Sequence, residues 1–346
     1  MPQKHYINVA REGTFATAPS TGWIGAAVQD LGGHAPAVVT QQPKLMTYGQ
    51  QGQTSKGRSS RIRGGKGQIK PYLATPSRLM LELLEAAFGA PTVTELAAGE
   101  AYEWVFSTAA AVPAHSLAVQ VGREYSGGGQ DRDTFVGGQV EKVTFSQGMT
   151  PMTSGVTDEG LGKVQFDLDY ATMKPFSDVT QYLPTYEDPD AYFSGGDWTF
   201  SIGEDLDNLV AECVDGFGLE FMPGLNFEDA QCASSAIRSK AGRGAMPSAK
   251  LTGTSWTYKG RDYLDAWLNG TVLAARSAYE VTSLWLDGDE TIHPSITVDL
   301  PALGFTGDVP KEDAERATKQ DLPGDVLWNE DDDMVTVTVV TSLDEL

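Results

Sequence analysis

The chain has little cysteine: Cys213 and Cys232 are the only two among 346 residues. Two thiols cannot build a disulfide framework, so a reducing compartment is the expectation. No apolar run approaches the roughly 18 residues that a membrane-crossing helix needs. The opening MPQKHYINVAREG lacks the apolar core of a signal peptide. The closing LDEL therefore reads as a chance match to a retention signal. A soluble chain made in a cytoplasm is expected.

Catalytic signatures are missing as well. The four histidines, His5, His34, His115 and His293, lie far apart, with no HxxxH or His–Cys cluster for a metal. GGKG at 64–67 lacks both the hydroxyl residue after lysine and the glycine spacing of a phosphate loop. There is no GxSxG elbow. The acid clusters DGDE and NEDDDM lack EF-hand spacing and read as solvated turns. The expectation is a protein that is not an enzyme, with no cofactor and no metal.

Positive charge is scarce overall: 25 Lys and Arg stand against 47 Asp and Glu, a formal net charge of −22. Such a balance opposes general binding to nucleic acid, because phosphates are repelled. It would also suit a high-salt environment, where screening removes the self-repulsion. The deficit is uneven. From Leu31 to Leu81 there is no acid, while Lys44, Lys56, Arg58, Arg61, Arg63, Lys66, Lys70 and Arg78 are basic. A second acid-free window, Ala230 to Arg261, carries Arg238, Lys240, Arg243, Lys250, Lys259 and Arg261. The acids concentrate towards the C-terminus. Segregated charge of both signs lets a chain bind copies of itself. A nucleic-acid grip by TSKGRSSRIRGGKGQ is the rival reading, but the stretch has no aromatics for stacking.

What is abundant is turn and strand material. The 38 glycines and 18 prolines predict many short strands, and the length predicts about two domains. YEWVFS, HSLAVQVG, GQVEKVTFS and KVQFDLDY read as strands in the first half. In the last of these Val164, Phe166, Leu168 and Tyr170 face one way, and Gln165, Asp167 and Asp169 the other. EVTSLWLDG, HPSITVDLPAL and DMVTVTVVTSL read as strands of the second half. A helix is expected from Thr75 as N-cap, through Pro76 and an apolar stripe of Leu79, Met80, Leu83, Leu84, Ala87 and Phe88, to Gly89. SSAIRSKAGRG (234–244) mirrors SSRIRGGKG (59–67), and a shorter helical stretch, GRDYLDAWLNG, follows it. Each half thus reads strand, basic loop, strand, helix, further strands. Internal duplication explains this order, and two ordinary α+β halves remain the alternative.

The order of segments resembles the tail tube proteins of long-tailed viruses. AREGTFATAPSTGW is similar to their Glu-x-Thr-x-x-Thr-Ala-Pro opening, and RGGKGQIKPYLATPSRLMLELLEAAFGAP to their loop, strand and helix. HSLAVQVG, DTFVGGQVEKVTFSQGM and GKVQFDLDYATM follow their strand order, and HPSITVDLPALGFTGDVPK resembles a late Leu-Pro strand of the longer members.

The resemblance implies a mainly β (α+β) fold of two tandem tail-tube-type β-sandwich or barrel modules, each with a flanking helix. The expected division is an N-terminal arm (1–35), modules at 36–180 and 190–346, and a linker at 181–189. It implies a virion protein whose copies close into stacked rings, a trimer with pseudo-sixfold symmetry being favoured over a hexamer. Its partners would be itself, other tail proteins at the tube ends, and viral DNA that passes without specific binding, with no membrane. Other self-assembling virion parts, such as a baseplate or decoration protein, and a carbohydrate-binding β-sandwich are the alternatives. Arg58, Arg61, Arg63, Lys66, Arg238, Lys240 and Arg243 are expected at subunit or ring contacts. Asp167 and Asp169, with Glu141 and Asp299, are expected to line the bore, which reads as acidic and neutral polar.

Overall fold

The structure is a computed structural model. It describes residues 4–26, 32–41, 44–47, 50–53, 59–108, 115–124, 130–147, 160–174, 182, 185–226, 229–232, 235–238, 242–243, 246–256, 266, 268–306, 319–321, 323–328 and 333–346. Stretches such as 59–63, 235–238 and 242–243 are described by backbone alone.

The first half contains β1 (Lys4–Glu12), β2 (Ile24–Gly25), β3 (Ala35–Gln41), β4 (Lys44–Thr47), β5 (Gln50–Gln53), β6 (Ser59–Ile69) and β7 (Ala74–Thr75). It continues through α1 (Arg78–Phe88), β8 (Thr92–Ala97), β9 (Ala101–Ser107), β10 (Ser116–Glu124), β11 (Gln130–Gln147), β12 (Lys163–Tyr170) and β13 (Thr172–Lys174). The second half opens with β14 (Ala191–Tyr192), β15 (Trp198–Gly203), β16 (Leu209–Glu212), β17 (Val214–Met222), β18 (Leu225–Asn226), β19 (Asp229–Cys232) and β20 (Ser235–Arg238). It ends with β21 (Gly242–Arg243), β22 (Ser248–Trp256), β23 (Leu273–Glu280), β24 (Ser295–Phe305), β25 (Lys319–Asp321), β26 (Gly324–Val326) and β27 (Thr336–Thr341). The chain is mainly β, and most strands join one large antiparallel sheet.

Seven pairings of the first half recur in the second, in the same chain order. β1 pairs with β2 and β10, as β15 pairs with β16 and β23. β6 lies between β3 and β12, as β22 lies between β17 and β25–β26. β11 pairs with β10, β12 and β13, as β24 pairs with β23, β26 and β27. Even a bulge repeats: the register slips between Leu117 and Val119 in β10, and between Leu273 and Ala275 in β23. A small hairpin sits at the same place in each half, β4–β5 and β19–β20.

The halves are nonetheless sewn together. The C-terminal part of β11 pairs with β17, from Val143 opposite Phe221 to Gln147 opposite Phe217. β9 pairs with β27, from Tyr102 opposite Thr341 to Ser107 opposite Thr336. One contiguous cluster of buried apolar side chains runs through both halves, from Ile7 and Phe166 to Phe221 and Val339.

Several expectations match in detail. β12 buries Val164, Phe166, Leu168 and Tyr170 and leaves Gln165, Asp167 and Asp169 only partly covered. The helix stops at Gly89, whose φ of 109° is a left-handed value that suits glycine. Its start differs from the sequence reading. The N-cap is Ser77, not Thr75, and the hydroxyl accepts from the Met80 amide at 3.3 Å. The Glu187 carboxylate completes the cap, accepting from the amides of Arg78 (2.7 Å) and Leu79. A carboxylate there satisfies orphan donors and meets the positive end of the helix dipole. It comes from 109 residues away, so no local pattern announces it.

EVTSLWLDG is not a strand. β23, whose sequence LAARSAYE lacks strong alternation, ends at Glu280, and the chain then turns. Val281 and Leu284 pack on the core, Trp285 stacks on His293 at 3.7 Å, and Asp287 accepts from the amides of Thr291 and Ile292. The apolar residues there cap the sheet end instead of extending a ladder. The stretch expected as an N-terminal arm contains β1, paired with β10 from Lys4 opposite Glu124 to Glu12 opposite Ser116. Most of the expected second helix falls outside the described residues; Ala266, Leu268 and Asn269, which are described, are helical.

Arg11, at the end of β1, braces α1. Its Nε donates to Glu82 Oε2 at 3.0 Å, and its guanidinium also contacts Glu85. Burial raises the pKa of Glu85 above the usual carboxylate value, with Arg11 opposing the rise. A raised folded pKa favours the protonated native state, so Glu85 lends stability below its unfolded pKa and loses it as pH rises through the folded value. Arg11→Ala should therefore cost more at pH 7, about 1–2 kcal/mol, than at pH 4. Thermal unfolding at the two pH values checks this; equal losses would show that Arg11 acts through packing alone.

Candidate functional site

The polar face of the sheet β3–β6–β12–β11–β17–β22–β26 gathers Lys66, Glu141, Asp167 and Asp169 of the singled-out residues. The alternation that buries Leu168 and Tyr170 turns Asp167 and Asp169 outward. Cross-strand partners share a face, so Asp169 lies opposite Lys66, and Asp167 lies opposite Gln68 on one side and Lys142 on the other. The second half repeats the motif, with Lys250 flanked by Glu220 and Asp325.

The carboxylates are interleaved with lysines. Lys66 Nζ donates to Glu141 Oε2 at 2.7 Å, both side chains being largely exposed. Lys142 Nζ lies 3.5 Å from Asp167 Oδ2 and 3.3 Å from Glu220 Oε1. It thereby links β12 of the first half to β17 of the second. Burial works against the Lys142 ammonium, but Glu220 and Asp167 outweigh it and hold its pKa above the lysine value. Lys250 Nζ stands 4.0 Å from Asp325 Oδ1. Asp167 also accepts from Gln165 Nε2 at 2.7 Å. The single-strand reading gave an acidic and neutral face; the neighbouring strands make it a mixed one.

A groove of about 620 Å³ opens where this face meets the start of β3, between Gly32, Lys66, Gln68, Glu141 and Asp167. Gly32 has φ +64°, its carbonyl accepts from the Gln68 amide at 2.9 Å, and a Cβ there would lie 1.7 Å from the Gln68 carbonyl oxygen. Only glycine lets the chain enter β3 this close to β6.

The other singled-out residues are dispersed. Asp299 sits in the N-terminal part of β24, opposite Arg276 and Thr336, away from the Lys66–Asp169 row. Its carboxylate takes both Nε (2.5 Å) and Nη2 (3.1 Å) of Arg276, which raises the pKa of that guanidinium, the Asp299 hydrogen bond being the main cause. Arg61 and Arg63 lie on β6, Arg238 on β20 and Arg243 on β21, by backbone only. Arg58 and Lys240 lie outside the described residues.

The sequence reading missed the work of Glu12. This buried carboxylate accepts from the amides of Ala16 (2.9 Å) and Gly137 (2.8 Å) and from the Ser116 hydroxyl. It ties the connection after β1 to both β10 and β11. The quoted Glu-x-Thr-x-x-Thr-Ala-Pro pattern was the available signal, but it names no partner.

Among the described residues, no group of three or more His, Cys, Asp or Glu side chains is placed to hold a metal, and no helix is long and apolar enough to cross a membrane. Comparison with the known protein-family models and with the curated proteins finds no match for this chain.

Proposed function

We propose that this chain is a structural virion protein whose copies polymerise into stacked rings, forming a hollow tail tube through which viral DNA is delivered. The observation that carries the reading is the β11–β17 seam between two halves with the same pairing scheme. Each half is one tube module with a flanking helix, and the seam is one of two junctions that a closed ring of such modules requires. The second junction would join one copy to the next. Ring closure would leave no open sheet edge, the usual remedy for edge-to-edge aggregation.

Two modules per chain make the ring a trimer with pseudo-sixfold symmetry. The polar face with Asp167, Asp169 and Glu141 turns to the bore. With lysines beside its carboxylates it presents little net positive field, and a duplex passes without the adhesion that a basic lining would cause. The basic stretches with Arg58, Arg61 and Arg63, and with Arg238, Lys240 and Arg243, meet acidic surfaces of other copies, whereas Lys66, paired with Glu141, belongs to the bore face.

The test is electron microscopy of the purified full chain over a range of salt. Hollow rings or tubes with threefold symmetry are expected, and Arg61→Glu with Arg63→Glu should give a folded subunit that elongates at least tenfold less. A chain that stays monomeric throughout would overturn the proposal. True sixfold rings with one half outside the wall would overturn the trimer.

A further inference from the structure

The two halves match in pairing but differ sharply at one place. In the first half the connection from β1 to β2 spans residues 13–23 and lays Phe15 over Gly137: a Cβ on Gly137 would lie 3.1 Å from Phe15 Cζ and 2.5 Å from Ala171 Cβ. In the second half the register puts Ala302 at the place of Gly137 and Leu327 at that of Ala171. The Leu327 amide donates to Ala302 O at 2.8 Å, as the Ala171 amide donates to Gly137 O at 3.3 Å. But the connection from β15 to β16 is only residues 204–208, closed tightly by Asp205 Oδ1, which accepts from the amides of Asp207 and Asn208. Among the described residues no counterpart of Phe15 covers the site.

What remains is a notch of about 670 Å³ with an apolar floor of Val272, Pro301, Ala302, Leu327 and Trp328. Val272 is 44 % exposed, Leu327 40 % and Trp328 54 %. Among the described residues its rim carries Glu204, Asp205 and Asp207 and no basic residue. The complementary chemistry is an apolar tip flanked by cations. The acid-free window from Leu31 to Leu81 supplies it at the β4–β5 hairpin, where Lys44 leads directly into Leu45 and Met46.

We propose that the notch beside Trp328 seats the β4–β5 hairpin of a second copy of this chain, docked by the face of β4 that Lys44 and Met46 share, Met46 over its floor and Lys44 at its acidic rim. The interaction rests on the self-assembly argued above and gives the acid-free window a receptor. Exposed ion pairs are individually weak, about 0–1 kcal/mol each, so the apolar floor provides most of the hold and the acidic rim selects the partner.

A photoreactive benzophenone side chain in place of Trp328 tests it, in assembled full-length protein mixed from ¹⁴N- and ¹⁵N-labelled chains. Cross-links between chains, from position 328 to peptides within residues 43–58, are expected. Leu45→Ser with Met46→Ser should cut their yield at least tenfold while leaving the unfolding temperature of the subunit unchanged. Assembled particles whose cross-links map to any other segment, or only within one chain, would overturn this inference and leave the tube reading intact. Absence of any assembly would overturn both.

Discussion

Phe221→Ala should lower the unfolding free energy by about 3–5 kcal/mol and let the two halves unfold separately. Phe221 is 1 % exposed and its ring stacks on Phe88 of α1, with centroids 4.5 Å apart and planes 13° from parallel. It lies opposite Val143 on β11 and Ala249 on β22, so one side chain joins the helix and strands of the first half to the sheet of the second. Truncation loses the transfer free energy of the ring and leaves a cavity that the two sheet halves cannot close without breaking register. Because a domain is stable by only about 5–15 kcal/mol, a loss of this size threatens the whole fold. The measurement is denaturant unfolding followed by tryptophan fluorescence and by far-UV circular dichroism. Coincident single transitions, shifted by less than 1 kcal/mol, would mean that the seam is held elsewhere.

Glu12→Leu should cost about 3–5 kcal/mol, since each buried donor left without its acceptor costs about 1–3 kcal/mol. The Gly137 amide and the Ser116 hydroxyl would both lose the carboxylate, as would the Ala16 amide, and Ala16 is itself held at φ 56°. Leucine fills the volume but offers no acceptor, so packing cannot compensate. Glu12→Gln, which keeps one acceptor oxygen, should cost roughly half as much. The distinguishing readout is hydrogen exchange. In Glu12→Leu the Gly137 amide should exchange at least a hundredfold faster, while amides across β23–β24 in the second half change little. Uniform acceleration over both halves would indicate global destabilisation instead of a local anchor.

Glu12 and Phe221 mark the limit of what a linear reading holds. Strand content, the outward turn of Asp167 and Asp169, the helix body ending at Gly89 and the segregation of charge were all set by the sequence alone. Each follows from local periodicity: two for a pleated strand, 3.6 for a helix, with glycine where φ turns positive. Even the likeness of the two halves showed, through the order of loops and helices.

Partners did not show. Alternation says which face a side chain takes but not which strand lies beside it. Only the pairing of β12 with β6 and β11 brought Lys66 and Lys142 to the aspartates and made an acidic row a mixed face. The helix cap came from Glu187, the anchor of the β1 connection from Gly137 and Ser116, and the seam from residues seventy or more positions apart. EVTSLWLDG misled for the same reason: its apolar residues have the composition of a strand, but after Glu280 the chain turns, the Leu284 amide donating to Val281 O at 3.2 Å, and they fold over the end of the core. The notch beside Trp328 is the clearest case. It exists because the connection 204–208 is shorter than its counterpart at 13–23, a difference with meaning only once the register superposes Ala302 on Gly137.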